Sequence, residues 1–113
     1  MTREVHIYSD GGARGNPGPA ALGVVIYDMG SNKRYTHKKY LGKTTNNQAE
    51  YQALIAGLEK ARDLGATVVS CFLDSQLIVK QMLREYRVKD AGLAPLFLKA
   101  WNLAAAFSNI SFT

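Results

Sequence analysis

The chain contains little that would fix a fold by covalent or rigid means. Its one cysteine, Cys71, has no partner for an intrachain disulfide. Cys71 lies in the apolar run from Val68 to Leu73, and a buried free thiol suits a reducing cytoplasm. Proline is scarce, and two of the three prolines, Pro17 and Pro19, crowd into one loop. No apolar run approaches the length of a membrane span, and the opening Met-Thr-Arg-Glu lacks the apolar core of a signal peptide. Internal repeats, low-complexity tracts and long linkers are missing too. Acidic residues are outnumbered, 9 against 14 basic, and the net charge of +5 favours a polyanionic partner without naming one. What remains is an ordinary globular composition, 47% hydrophobic and 20% charged, in 113 residues: one domain with a single modest core.

The chain is organised around its first 20 residues. Residues 4–10 form a short apolar strand that ends on Asp10. Gly11 and Gly12 follow, leaving room for a ligand backbone to come close. Ala13 to Pro19 is loop, because two prolines and two glycines within five residues exclude regular structure. Ala20–Tyr27 and Lys33–Leu41 are two further strands around an Asp28–Asn32 turn, completing an antiparallel meander. Lys33–Arg34 and Lys38–Lys39 then read as a solvated edge that blocks further pairing, or as salt-sensitive affinity for a duplex.

Thr45-Asn46-Asn47-Gln48 fits a capping box, and the helix it opens runs to Leu64, with Gly65 as its stop. Ala49, Ala53, Leu54, Gly57, Leu58, Ala61 and Leu64 recur at helical spacing, and Glu50 falls on the same inward stripe. A buried carboxylate requires a partner, which a metal or a cation would supply. Thr67–Leu73 is a central strand ending on Asp74, and strand–helix–strand order implies a parallel crossover. Asp10 and Asp74 would then emerge side by side. Ser75 caps a short helix, residues 76–83, and a polar connection leads to a last helix over 93–107. Phe97, Trp101 and Phe107 on that helix are expected in the core. His6 and His37 are expected to be structural or solvated and not metal ligands. Asn109 to Thr113 is a final strand.

Three carboxylates, Asp10, Glu50 and Asp74, therefore converge on one rim. Like charges persist together when something positive sits among them, and Mg²⁺ takes oxygen ligands of this kind. Ions held so can activate water and stabilise a leaving oxygen in phosphodiester cleavage. The amides of Asn16, Asn46, Asn47 and Gln76 lie near the same edge and suit a 2′-hydroxyl, which both donates and accepts. Lys43 and the helix N-terminus at Thr45 suit a phosphate.

Tyr8–Ala20 (YSDGGARGNPGPA), Thr44–Tyr51 (TTNNQAEY) and Leu73–Val79 (LDSQLIV) resemble the three successive motifs of type 1 ribonuclease H, in order and with fitting spacing. The resemblance implies an α/β ribonuclease H-like fold: a mixed five-stranded sheet, three antiparallel strands plus parallel ones, flanked by helices. It implies an endonuclease that hydrolyses the RNA strand of RNA/DNA hybrids with two Mg²⁺ ions, for which Mn²⁺ can substitute. Asp10 would bridge both ions, and Glu50 and Asp74 would each bind one. Asn16, Asn46, Asn47 and Gln76 would read the RNA strand, and Lys43 and Thr45 would grip a DNA phosphate.

Two departures stand against the family pattern. Residues 85–92 are too short for the family's basic protrusion, although Arg84, Arg87 and Lys89 keep positive charge there. The family also continues past its last strand into a loop histidine and a helix with a fourth carboxylate, and the 113 residues end before either. The expectation is one domain over residues 1–113, C-terminally incomplete, with cleavage weakened or absent. Truncation, omitted disordered residues and natural shortness are three accounts of that ending. The expected partner is an RNA/DNA hybrid and no membrane, with the protein a monomer or completed by another copy. A non-catalytic hybrid-binding module, or a related nuclease acting on other nucleic acids, are the alternative functions.

Overall fold

The structure, a computed structural model, describes residues 2–113. Its elements in chain order are β1 (Glu4–Ala13), β2 (Gly18–Asp28), β3 (Lys33–Thr44), α1 (Asn46–Asp63), β4 (Val68–Leu73), α2 (Gln76–Met82), α3 (Ala94–Ala104) and β5 (Asn109–Phe112). The strands make one sheet in the order β3-β2-β1-β4-β5. The first three are antiparallel neighbours, while β1–β4 and β4–β5 are parallel. This is the mixed five-stranded sheet that the motifs imply.

Alternation along β2 sends Ala20, Leu22, Val24, Ile26 and Asp28 inward and leaves Ala21 and Tyr27 outside. The inward face receives α1, and α3 packs on α1 in turn. That second contact explains why Tyr51 and Ile55 are buried although they lie off the stripe facing the sheet. Each fully buried large apolar side chain here, such as Leu54 or Ile78, contributes about 2 kcal/mol. On the outer face Tyr8 stacks on Phe72, with ring centroids 4.7 Å apart, and Tyr27 meets Tyr8 edge-on.

Asp28 faces inward and is 2% exposed. Arg3 neutralises it, donating from Nη2 at 2.6 Å and from Nε at 3.2 Å to Oδ2, and also reaches the Leu64 carbonyl. These bonds tie the start of β1 to the end of β2 and to the end of α1.

Several boundaries differ from the sequence expectation. β1 does not stop at Asp10, since its antiparallel pairing with β2 continues to Ala13 opposite Ala20. β2 begins at Gly18, because Gly18 pairs with Thr44 at the far end of an extended β3. A Cβ at Gly18 would lie 1.6 Å from the Arg14 carbonyl oxygen, so the turn between β1 and β2 closes only over glycine. α3 ends at Ala104, three residues before Phe107. Trp101 is 41% exposed, outside the core that holds Phe97 and Phe107. α2 matches its expected cap, with Ser75 Oγ accepting from the Ile78 amide. β3 is an edge strand, and Lys33, Arg34, Lys38 and Lys39 on it are exposed.

Candidate active site

The register of β1 against β4 sets the rim. Ser9 pairs with Leu73, the last residue of β4. Asp10 is therefore the first β1 residue past its parallel partner, and Asp74 is the first residue past β4. Both are exposed. Glu50, the fifth residue of α1, is half-buried, and its backbone nitrogen lies against Gly11, the neighbour of Asp10.

α1 is held there by its own cap and by a close approach to β1. Thr45 Oγ1 accepts from the Gln48 amide at 3.2 Å, and the Gln48 side chain returns to the Thr45 amide. Thr44 also donates to the Gln48 side chain. A Cβ on Gly11 would lie 2.2 Å from the Ala49 carbonyl oxygen and 2.7 Å from the Glu50 nitrogen. Gly11 thus admits the helix backbone, not a ligand backbone as the sequence suggested. Only Gly12 is open, with Asn46 Oδ1 its nearest neighbour at 3.9 Å.

The Glu50 carboxyl is pushed above its ordinary pKa by burial first, and then by the negative charges of Asp10 and Asp74. A hydrogen bond from the Ser75 hydroxyl opposes this. The three carboxylates thus share one electrostatic field. Among the described residues, no group of three or more His, Cys, Asp and Glu side chains is arranged to hold a metal ion, Asp10, Glu50 and Asp74 included. Oxygen-only anionic donors are nonetheless the kind that Mg²⁺ takes, and Mg²⁺ keeps several waters and needs only one or two carboxylates.

The loop between β1 and β2 is fastened to the same helix N-terminus. Asn16 Oδ1 accepts from the Asn46 amide at 3.1 Å, and Asn46 Oδ1 accepts from the Ala13 amide at 2.6 Å. Asn16 spends its carbonyl oxygen on the start of α1 and Asn46 spends its own on the end of β1, so their NH₂ groups are the ends available to a ligand. Asn47 is half-buried beside them, and Lys43 is exposed at the end of β3. Gln76, exposed at the start of α2, lines a cleft with Tyr8, Asp10, Lys38, Phe72 and Asp74. His37 borders that cleft on exposed β3, whereas His6 bonds Glu4 at 2.8 Å.

The family described as "Reverse transcriptase-like" matches residues 8–113. Among solved structures, the chain is similar to the N-terminal RNase H domain of a Mycobacterium tuberculosis protein, with 43% identity and a TM-score of 0.93 over 96% of this chain and 84% of that one. It is also similar to the RNase H1 of the halophilic archaeon Halobacterium salinarum, with 41% identity and a TM-score of 0.90 over 97% of this chain and 83% of that one. This chain belongs to the ribonuclease H family. A third ribonuclease H likeness, LC11-RNase H1, was solved in complex with an RNA/DNA hybrid, with 43% identity and a TM-score of 0.88 over 96% of this chain and 83% of that one. The chain spans about half or less of the curated relatives it matches. It covers 55% of a Halobacterium salinarum protein named ribonuclease HI, at 41% identity, and 30% of a Mycobacterium tuberculosis protein named as bifunctional, at 44% identity; each match takes in 96% of this chain.

Within this ribonuclease H fold, sequence reasoning missed the parts that hold the rim in place. Tyr51, next to Glu50, donates to Gln81 Oε1 at 2.5 Å inside the core. Gln81 Nε2 in turn donates to the Arg87 carbonyl at 3.4 Å. A glutamine on the inner side of α2, away from any motif, was the one signal available for this link. Gly92 sits against the Gln48 side chain, so the segment before α3 also touches the capping box.

Proposed function

We propose that this chain is a divalent-metal-dependent endoribonuclease that hydrolyses the RNA strand of RNA/DNA hybrids. The observation that carries the reading is the geometry of the rim: Ser9 pairs with Leu73, so Asp10 and Asp74 leave neighbouring parallel strands together, and Gly11 beside Asp10 packs on the Ala49–Glu50 backbone of α1. Asp10, Glu50 and Asp74 would hold Mg²⁺ or Mn²⁺, the two ions that the family resemblance implies. When bound, the ions would supply charge neutralisation and an activated water for in-line hydrolysis at phosphorus.

The other residues bind and orient. The free NH₂ groups of Asn16 and Asn46, with the Asn47 and Gln76 amides, suit ribose 2′-hydroxyls and base edges in the minor groove. Recognition of the 2′-hydroxyl is what separates RNA from DNA at such a site. Lys43 offers a cation, and the Asn47 backbone amide at the start of α1 offers a donor, to a phosphate of the DNA strand. The Thr45 hydroxyl already accepts the Gln48 amide, so its part is to hold that helix end in shape. No helix of the described residues is long and apolar enough to cross a membrane, and the buried Cys71 thiol supports a reducing cytoplasm.

The test is a substrate panel with Mg²⁺ or Mn²⁺: an RNA/DNA hybrid, double-stranded RNA and double-stranded DNA, each labelled on both strands. Cleavage confined to RNA in the hybrid supports the proposal. Tight hybrid binding without a cut favours the binding-module alternative, which the groove amides support independently of the carboxylates. Cleavage of duplex DNA at a similar rate contradicts both.

A further inference from the structure

The exposed cations of β3 divide between the two faces of the sheet. Leu22, Val24 and Ile26 of β2 point inward, and their partners on β3 are Lys39, His37 and Tyr35. Lys38 therefore faces outward, opposite Gly23 of β2, and Gly23 is paired in turn with Asp10 of β1. Asp10, Gly23 and Lys38 thus form one row across three strands. Lys39, the next residue, belongs to the opposite face, where it borders a hollow with Glu59 and Lys99.

The middle of the row is open. A Cβ added at Gly23 would meet no atom of another segment within 4 Å, so no side chain stands between Lys38 and Asp10. Strands lie about 4.8 Å apart, which sets the two backbones roughly 10 Å from each other. A lysine side chain reaches well into such a gap. Both residues line a cleft of about 690 Å³ that Asp74 and Gln76 also line, with Tyr8 and Phe72 as its aromatic wall. Among the described residues, Lys38 forms no ion pair. Its ammonium is close enough to share a ligand with the rim and is not spent on the rim itself.

That ligand is anionic. Once the carboxylates carry the divalent cations of the proposed function, positive charge bounds the gap on both sides. Resting on that reading, we propose that Lys38 reaches across Gly23 and binds a non-bridging oxygen of the RNA phosphate that the carboxylate rim addresses, as a further catalytic residue. A cation aimed at oxygens that gain charge in the transition state speeds the reaction more than it tightens binding.

The experiment compares the parent, Lys38→Gln and Lys39→Gln, two variants with the same charge loss on opposite faces of one strand. Single-turnover cleavage of an RNA/DNA hybrid is followed in Mn²⁺. Binding of the fluorescent hybrid is followed by anisotropy in Ca²⁺, from about 50 to 200 mM salt, with gels to show that the RNA stays intact. Lys38→Gln is expected to slow cleavage about tenfold or more, to weaken binding about threefold, and to lower the slope of log affinity against log salt by about one. Lys39→Gln is expected to match the parent in all three. Equal losses in the two variants would show a diffuse field and overturn the contact. So would parental behaviour of Lys38→Gln, and either result leaves the nuclease reading standing. A parent that binds without cutting leaves affinity and slope to decide. A parent that neither binds nor cuts the hybrid overturns the nuclease reading first, and the Lys38 contact with it.

Discussion

The phenol of Tyr51 on α1 donates to Gln81 Oε1 on α2, 2.5 Å away and sealed in the core. Burial pushes the Tyr51 hydroxyl up to about 12, so it stays a neutral donor across the working pH range. The bond indexes the helix that carries Glu50 against the helix that follows Asp74. Tyr51→Phe leaves a buried acceptor without its donor and is expected to cost about 1–2 kcal/mol, read as a melting temperature lower by roughly 5–10 °C. Hybrid cleavage is expected to fall further than that lost stability explains, because two carboxylates lose their common reference. A Tyr51→Phe protein with parental melting and parental kcat would contradict the link.

Gly11 is the contact point between β1 and α1. A methyl group there meets backbone, the Ala49 carbonyl and the Glu50 nitrogen, and neither can rotate away. Gly11→Ala is expected to destabilise the fold by about 3 kcal/mol, the upper end for overpacking. Gly12→Ala, one residue on and facing open space, is expected to melt close to the parent. Thermal melts of the two variants side by side provide the check.

Glu50 should make the ion-free protein more stable in acid than at neutrality. Its folded pKa is raised, so the native state binds that proton more tightly than the unfolded chain does. This contribution is complete below the ordinary value of 4.5 and is lost as pH rises through the higher folded value. Glu50→Gln removes the penalty of the ionised form. In EDTA it is expected to melt above the parent at pH 7, with the gap closing as pH falls towards 4.5. Melting curves across that range test it, and a constant gap would contradict it.

Asp28 works in the opposite sense. The hydrogen bond from Arg3 holds its carboxyl below the ordinary 3.8, against the effect of burial. Its contribution is therefore present above pH 3.8 and is lost as pH falls through the lower folded value. Arg3→Ala leaves a buried carboxylate unpaired and is expected to lower the melting temperature at pH 7 by several degrees. Most of that difference should vanish in acid, where Asp28 protonates in both proteins.

Much of this was legible because it is local. The capping box at Thr45 and Gln48, the serine cap of α2 and the strand that delivers Asp74 each lie within a few adjacent residues. Pairing across the sheet was less visible. The loop residues Ala13 and Gly18 belong to strands because distant partners, Ala20 and Thr44, extend the ladder past the prolines. At Gly11 the sequence shows room for a close approach but does not say which backbone fills it. Helical spacing alone puts Trp101 in the core, yet it is exposed, with the Arg84 guanidinium of another segment 5.6 Å from its ring. The Tyr51–Gln81 bond spans 30 residues and has no periodic signature.

Asp10, Glu50 and Asp74 are expected to act together on divalent cations. Titration of Mn²⁺ into the 113-residue protein, followed by calorimetry beside Asp10→Asn and Asp74→Asn variants of the same length, tests it most directly. Saturable binding to the parent is expected, weakened at least about tenfold by either substitution, since each removes one of the charged ligands such an ion takes. Binding of equal strength and stoichiometry in all three proteins would contradict it.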